Sequence, residues 1–285
     1  MKLGGRRQTC RDIGVMRMGH VLVIAILTLS GCGQREEVVP VNAMAYKDEL
    51  VALSNARIFF GHQSVGRNLL QGLSDLSQQA GVPLRIVRFE NGGTGDQPGV
   101  FHTDIGKNRE PLGKLSEFSR LVQIPGQKPY DVALLKFCYE DIRADAPLSP
   151  RALVDEYAKQ VAAIRAAQPN LRLVHVTSPL RADPLEWKTA IKRVIGRSTY
   201  EDADNQLRNT FNTEMRKRFA GEAIFDIAEV ESSLAQEQRS AFNVGSETVF
   251  TLAAAYTTDG GHLNEAGRQR VAAAFVRAVA GVMRR

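Results

Sequence analysis

The chain has 285 residues, of which 44% are hydrophobic and 24% are charged, and its formal net charge is +6. This length and apolar content suit one large globular domain or two small ones and exclude a disordered chain. Residues 1–31 hold five basic residues against one acidic residue, which leaves 32 basic and 30 acidic residues in the rest of the chain. Because no Lys/Arg run follows, the composition argues against nucleic acid as a partner.

The first 31 residues are typical of an export signal. Basic residues lead into the apolar run VLVIAILTL at 21–29, which is shorter than the roughly 18 residues needed to span a bilayer. Leu-Ser-Gly-Cys follows at 29–32 and resembles a bacterial lipobox, in which the cysteine is lipidated and becomes the new N-terminus. We therefore predict a lipoprotein signal peptide at 1–31, a lipidated Cys32 that anchors the protein to a membrane, and a tether at 32–45.

This anchor would place the protein in the cell envelope of a Gram-negative bacterium, on the outer membrane facing the periplasm. The alternative is an ordinary cleaved signal followed by an incidental cysteine. Cys138 would be the one cysteine left besides Cys32, so no intramolecular disulfide is expected in the mature domain.

Residues 46–285 are predicted to form one α/β domain. Short apolar runs rich in β-branched and aromatic residues show no polar alternation, which is typical of strands buried on both faces of a parallel sheet. These runs lie at 56–60, 84–89, 131–137, 171–177 and 223–227.

Helical patterns alternate with these strands, at 65–80, 149–168, 201–219 and 263–283. Ser149 is the expected N-cap of the second helix, with Pro150 at its first position. The alternation predicts a doubly wound, mainly parallel five-stranded sheet with helices on both faces. Ligands bind such sheets beyond the carboxyl ends of the strands.

A serine lies at such an end. The run RIFFGHQSVGRN at 57–68 leaves the first strand and delivers Ser64 just before a helix. Its hydroxyl could act as a nucleophile near the positive end of that helix. The alternative is that Ser64 simply caps the helix, because serine is a preferred N-cap residue.

A nucleophilic serine needs a base, and YTTDGGHLNEAG at 256–267 offers one. Asp259 and His262 are three residues apart, with two glycines that allow a tight turn between them. The carboxylate can then orient the imidazole, whose free nitrogen can take a proton from a serine hydroxyl. The alternatives for His262 are an ordinary loop residue or a metal ligand. The other histidines beyond the signal are scattered and form no metal-binding pattern, so we expect no metal or cofactor.

Ser64 after the first strand, followed by Asp-x-x-His-Leu-Asn-x-x-Gly before the last helix, resembles the SGNH (GDSL-like) hydrolases. The resemblance covers about residues 56–283. It implies a flavodoxin-like fold, with Ser64 as nucleophile, His262 as general base and then acid, and Asp259 as the orienting carboxylate. The first block departs from the family pattern, because Gly-His-Gln-Ser replaces Gly-Asp-Ser.

The resemblance also implies an oxyanion hole built from the nucleophile's own N–H, a glycine after the second strand and an asparagine after the third. Gly95 is the expected glycine. Where the asparagine should follow the third strand the chain has Glu140, a carboxylate that would repel an oxyanion. Asn108 could replace it, the alternative being an ordinary loop residue, and His62 and Gln63 are further candidates.

Two residues after the third strand raise separate questions. Lys136 ends an apolar run, so its charge should either pair with Glu140 or Asp141 beside the site or reach solvent. Cys138 is expected to pack in the core rather than to act as a nucleophile.

Together these features predict a serine esterase or deacylase that acts through an acyl-enzyme on an ester. Its location suggests a glycan ester, such as an O-acetylated envelope glycan. One alternative is an O-acyltransferase that uses the same three residues. Another is a catalytically silent binding lipoprotein of the envelope, in which Ser64, Asp259 and His262 would not converge.

Overall fold

The computed structural model describes residues 37–38, 40–89, 95–183 and 200–284. The predicted signal peptide at 1–31 and Cys32 lie outside the described residues. Ala43–Tyr46 forms a short 3-10 helix, and Ala43 is buried in the hydrophobic core. The folded domain therefore includes the last residues of the predicted tether. Within the described ranges, no helix is both long and apolar enough to cross a bilayer.

A parallel sheet of six strands in the order β2-β3-β1-β4-β5-β6 forms the centre of the fold. The strands are β1 (Arg57–His62), β2 (Ile86–Arg88), β3 (Gly99–Asp104), β4 (Val132–Leu135), β5 (Arg172–Val176) and β6 (Ile224–Phe225). Apart from the edge strand β2, the order β3-β1-β4-β5-β6 is that of flavodoxin-like folds. The predicted doubly wound α/β fold is therefore confirmed.

Helices cover both faces of this sheet. Those in the described ranges are α1 (Lys47–Ser54), α2 (Ser64–Gln79), α3 (Pro111–Val122), α4 (Pro150–Ala167), α5 (Tyr200–Arg218), α6 (Ile227–Ser232) and α7 (Glu265–Met283). The first, second and last of these helices pack into one hydrophobic core, and α3, α4 and α5 pack into the other. An antiparallel hairpin, β7 (Ala241–Val244) and β8 (Glu247–Phe250), stands apart from the main sheet.

The burial of β1 explains its uninterrupted apolar sequence. Every residue of this strand is buried. Because successive side chains of a strand point to opposite faces, Phe59 enters the core beneath α3 and α4, while Ile58 and Phe60 enter the core beneath α2 and α7. Both faces need apolar side chains, which removes the polar alternation of a half-exposed strand.

The prediction of five strands was wrong by one, because it missed β3. This strand begins at Gly99 and ends with the polar residues His102, Thr103 and Asp104, which are only partly buried. Its apolar part, Val100-Phe101, is too short to predict a strand by itself. Nevertheless β3 pairs with β1 along its whole length, with His62 opposite Asp104.

The predicted helix start at Ser149 is confirmed. Its hydroxyl accepts a hydrogen bond from Ala152 N at 3.2 Å, and Pro150 occupies the first turn. This arrangement satisfies one free N–H of the helix and places proline where its missing N–H does no harm.

Close packing of α2 on α7 depends on Gly72. A Cβ at this position would lie 2.6 Å from the carbonyl carbon of Arg268 in α7. The obstacle is backbone, which cannot move aside as a flexible side chain could, so the two helices would have to separate.

We expect Gly72→Ala to lower the free energy of unfolding by about 1–3 kcal/mol, the usual penalty for overpacking. Gly281→Ala in α7 is the matched control, because nothing lies within 4 Å of a Cβ at that position. Alanine there should stabilise the helix by up to about 1 kcal/mol. Urea unfolding of both variants checks this, and equal midpoints would contradict the proposed packing constraint.

Candidate active site

The candidate site lies beyond the carboxyl end of β1, where the strand order reverses. Strands β3 and β4 flank β1 on opposite sides, and such a switch point opens a crevice in doubly wound sheets. Ser64 follows β1 here, and the segment Phe137–Asp141 follows β4. The third contribution is the loop at 257–263 that precedes α7, called the Asp259 loop below.

Ser64 is the first residue of α2 and does not cap it. The N-cap residue is Gln63, whose side chain makes no capping hydrogen bond. The helix-cap alternative for Ser64 is therefore wrong. Its side chain is partly buried and lies at the helix amino end, where free N–H groups and the helix dipole favour negative charge.

Asp259 and His262 form the hydrogen bond that their spacing predicts. Asp259 Oδ2 lies 2.6 Å from His262 Nδ1, and Asp259 Oδ1 accepts bonds from the backbone N–H of Gly261 at 2.9 Å and of His262 at 2.7 Å. Gly260 has φ +81, which lets the turn close. These hydrogen bonds, led by that from the His262 N–H, hold the pKa of Asp259 far below its usual range. The carboxylate can only accept, so Nδ1 donates, and Nε2 is the ring nitrogen left to act as a base.

The Asp259 loop is docked on α2 within a turn of Ser64. Asn68 Oδ1 accepts a hydrogen bond from Leu263 N at 3.2 Å. Asn68 is four residues after Ser64, so both lie on one face of α2. Since Leu263 directly follows His262, this contact brings the histidine to the side of the helix that carries the serine.

Ser64 Oγ and His262 Nε2 do not form a hydrogen bond in the structure, judged over the described residues. Catalytic hydrogen bonds are often long without substrate and tighten in the substrate complex. The His262 side chain is 43% exposed, so the ring is accessible from solvent.

Gly95 does not lie near Ser64. Its carbonyl accepts a hydrogen bond from Arg57 Nη1 at 2.6 Å, at the amino end of β1. A six-residue strand is about 20 Å long, so Gly95 lies at the opposite edge of the sheet. The expectation that it donates to an oxyanion was wrong.

Asn108 lies on the loop between β3 and α3, at the carboxyl edge of the sheet, where Ser64 also lies. Its Oδ1 accepts a hydrogen bond from Lys114 Nζ at 3.0 Å. Because an ammonium group only donates, this contact assigns the amide orientation: the oxygen faces Lys114 and the NH₂ group faces away from it. Asn108 is exposed, so that NH₂ group is accessible to a ligand.

Lys136 does not form the ion pair that was expected with Glu140 or Asp141, because another lysine, Lys114, pairs with Asp141. Asp141 pairs with Lys114, whose Nζ lies 2.6 Å from Oδ2, and both side chains are fully buried. Lys136 is also fully buried, so neither predicted alternative holds. Its Nζ donates to Phe137 O at 3.1 Å, and burial lowers its pKa.

Glu140 is paired with a nearby arginine, and Cys138 is buried. Glu140 Oε2 lies 2.8 Å from Arg143 Nη1, which neutralises the carboxylate at the position where the resemblance implies an asparagine. Cys138 is buried with 1% exposure, as expected of a packing residue.

His62 and Gln63 are not available as donors to a ligand. Gln63 Nε2 already donates to the carbonyls of Ile105 and Gly106, at 2.7 and 3.0 Å. His62 is fully buried, and its two ring nitrogens contact Gln63 O at 2.9 Å and His102 Nδ1 at 3.0 Å.

The structure adds Tyr139 and Arg181 to the surroundings of the Asp259 loop. A Cβ on Gly261 would lie 3.0 Å from the Tyr139 hydroxyl and 3.6 Å from Arg181 Cζ. The Arg181 guanidinium also lies over the Tyr139 ring, 5.3 Å from its centroid. Tyr139 could have been predicted as a site residue from its position just after β4. Nothing in the sequence distinguishes Arg181 from the other arginines as a residue of the site.

Comparison with known proteins gives fold-level similarity only. No family model and no curated protein sequence matches the chain. An inhibitor-bound aryl esterase from M. smegmatis is 13% identical with a TM-score of 0.41, over 80% of this chain and 100% of that chain. A carbohydrate esterase family 3 protein from Talaromyces cellulolyticus is 13% identical with a TM-score of 0.43, over 80% and 97%.

The periplasmic domain of a lipopolysaccharide acetyltransferase from Salmonella ser. Paratyphi A is 14% identical with a TM-score of 0.42, over 84% of this chain and 88% of that chain. Identities and TM-scores this low carry no argument about activity. Any assignment must therefore rest on the residues of the site.

The burial of His62 predicts a pH dependence of stability. Loss of solvation lowers the pKa of His62 to about 3, below its unfolded value of about 6.5. The folded protein therefore keeps this ring neutral, and stability is lost as the pH falls from about 6.5 toward 3.

Between pH 7 and pH 4.5, we expect the wild type to lose about 2–3 kcal/mol more free energy of unfolding than His62→Asn, which has no proton to bind. Urea unfolding at the two pH values measures the difference. An equal loss in both proteins would show that His62 binds a proton as readily in the folded state as in the unfolded state, which would contradict the prediction.

Proposed function

We propose that this protein is a serine ester hydrolase of the SGNH type. The observation that carries the proposal is the Asp259–His262 hydrogen bond on a loop that Asn68 holds against α2, one turn from Ser64. Asp259 fixes the imidazole with its basic Nε2 free. A serine at the amino end of a helix then has a base on the same side of that helix.

In the proposed reaction, Ser64 Oγ attacks the carbonyl carbon of the ester while His262 Nε2 takes the hydroxyl proton. Asp259 stabilises the imidazolium that forms. The tetrahedral intermediate collapses, His262 gives its proton to the departing alcohol, and the acyl group remains on Ser64. Water then repeats the sequence, releasing the carboxylic acid and restoring the serine.

Two donors are proposed for the oxyanion. The Ser64 N–H lies in the first turn of α2, where backbone donors have no partner within the helix. The second is the Asn108 amide, which the buried Lys114 turns outward. Its loop touches the residue before the nucleophile, since Gln63 donates to the carbonyls of Ile105 and Gly106.

An O-acetylated envelope glycan is the proposed substrate class. This part rests on the export signal and lipobox-like sequence at 1–32, which would anchor the protein through Cys32 among envelope polymers. Acetate release from acetylated glycans tests it. Transfer of the acetyl group to a sugar hydroxyl instead of water would identify the same three residues as an O-acyltransferase.

Fluorophosphonate labelling tests the proposed nucleophile. We expect the probe to modify Ser64, and His262→Ala to lower the labelling rate by about a thousandfold or more, because serine is a weak nucleophile without its base. Mass spectrometry of the labelled peptide identifies the site.

The matched control is Ser116→Ala, which removes an exposed serine of α3 and should leave labelling unchanged. Absence of label on Ser64 in folded wild-type protein would contradict the proposal and favour a silent binding lipoprotein.

Asn108→Ala should reduce kcat for ester hydrolysis by about a hundredfold with little change in KM, as expected for loss of one oxyanion donor. Asn170→Ala is the control, because this exposed asparagine precedes β5 at the other edge of the sheet. Steady-state kinetics on p-nitrophenyl acetate measures both. An unchanged kcat in Asn108→Ala would remove Asn108 from the site and leave it an ordinary loop residue.

A further inference from the structure

A buried histidine lies directly behind the proposed nucleophile. His62 is the last residue of β1, and its ring packs against the first turn of α2 at Gly66. A Cβ on Gly66 would lie 2.7 Å from His62 Nδ1 and closer still to His62 Cβ and Cγ. The glycine thus provides the space for the imidazole between strand and helix.

The hydrogen bonds of His62 assign its tautomer. Nδ1 lies 2.9 Å from Gln63 O, and a carbonyl oxygen only accepts, so Nδ1 carries the proton. Burial keeps the ring neutral, so Nε2 has a lone pair. Nε2 lies 3.0 Å from His102 Nδ1, and therefore His102 must be the donor in that contact. The two ring planes are inclined by 25°, with centroids 5.1 Å apart, as expected for rings joined edge to edge by this hydrogen bond.

The carbonyl that His62 binds belongs to the peptide that joins Gln63 to Ser64. In a trans peptide the C=O and N–H bonds lie in one plane and point in opposite directions. A donor that fixes Gln63 O therefore also fixes the direction of the Ser64 N–H. Gly66 N at 2.8 Å and Arg67 N at 3.3 Å hold the same oxygen from the helix side.

The imidazole adds a donor from the strand side. A hydrogen bond accepted by a carbonyl polarises its peptide and makes the N–H at the other end a better donor. The side chain of Gln63 is held too, by the carbonyls of Ile105 and Gly106. The peptide before Ser64 is thus held by β1, α2 and the loop after β3.

We propose that His62 is a positioning residue for catalysis: held in its Nδ1–H tautomer by His102, it orients and polarises the Gln63–Ser64 peptide so that the Ser64 N–H binds the oxyanion. This inference rests on the proposed ester hydrolysis. His62 itself touches no substrate. A merely structural role would require only an apolar side chain of similar size at this position.

Three substitutions of His62 separate the two roles. Asparagine places an amide near the position of Nδ1, glutamine places one near Nε2, and leucine keeps only the volume. We expect His62→Asn to retain kcat for p-nitrophenyl acetate within about threefold. His62→Gln and His62→Leu should lose about ten- to a hundredfold in kcat, with KM nearly unchanged. This loss should not exceed the loss of kcat that follows removal of one oxyanion donor. Equal activity of the Asn and Leu variants would overturn the proposal.

The His102 variants give a second comparison that leaves His62 in place. His102→Asn keeps a donor near Nδ1, whereas His102→Leu removes it and leaves Nε2 of His62 without a partner. Only the leucine variant should lower kcat. Thermal unfolding of each variant shows whether it is folded, and equal kcat in the two folded His102 variants would exclude the tautomer control by His102.

The tautomer itself is measured by ¹⁵N NMR of the histidine side chains in the wild-type protein. A protonated Nδ1 and bare Nε2 on His62 are expected, and the opposite pattern overturns the inference whatever the activity. Fluorophosphonate labelling of Ser64 in the wild type separates the two proposals. If Ser64 reacts but the Asn and Leu variants behave alike, this inference alone fails; if Ser64 never reacts, the proposed function fails and the inference fails with it.

Discussion

A single buried carboxylate, that of Asp141, joins the two loops that border the candidate site. It accepts hydrogen bonds from Lys114 Nζ at 2.6 Å, Cys138 N at 2.7 Å and Arg109 N at 2.8 Å. A buried charge without such partners would be strongly destabilising. The loop after β3 and the segment after β4 are therefore constrained to meet at one point.

The buried ion pair between Asp141 and Lys114 contributes more to the geometry of these loops than to the stability of the fold. An apolar pair of the same volume can be as stable as a buried ion pair, whereas removal of one partner usually costs about 3–5 kcal/mol. The pair also sets local geometry: Arg109 has φ +72, an uncommon value for a residue other than glycine, and its N–H bonds to Asp141. Lys114 in turn orients the Asn108 amide. One buried pair thus determines the shape of the loop that would supply an oxyanion donor.

The parts of the structure that were predictable are those decided by local sequence. The apolar runs of β1 and β4 indicate buried strands, and the spacing of Asp259 and His262 indicates their hydrogen bond. β3 was not predictable in this way, because polar residues make up its second half. That omission explains the error at Gly95. By Gly95 the chain has already returned to the amino edge of the sheet to begin β3, so this glycine cannot reach the carboxyl edge.

Contacts between segments far apart in the sequence could not be predicted either. Nothing in the sequence distinguishes Lys114 from Lys136 as the partner of Asp141, since both choices satisfy the same charge rule. Likewise, the role of Asn68 depends on a hydrogen bond between residues 195 positions apart. Such partners follow from how α2, α3 and α7 pack on the sheet, which the pattern of each segment alone does not determine.

The distance along the chain between Asn68 and Leu263 has a consequence for when activity begins. The proposed nucleophile belongs to the first strand–helix unit, but its base is held in place by a loop that reaches α2 only when α7 packs beside it at Gly72. A growing chain would carry its serine for most of its synthesis without a base to activate it. On the proposed mechanism, the enzyme is therefore inert toward esters in the compartment where it is made until almost the whole domain has folded.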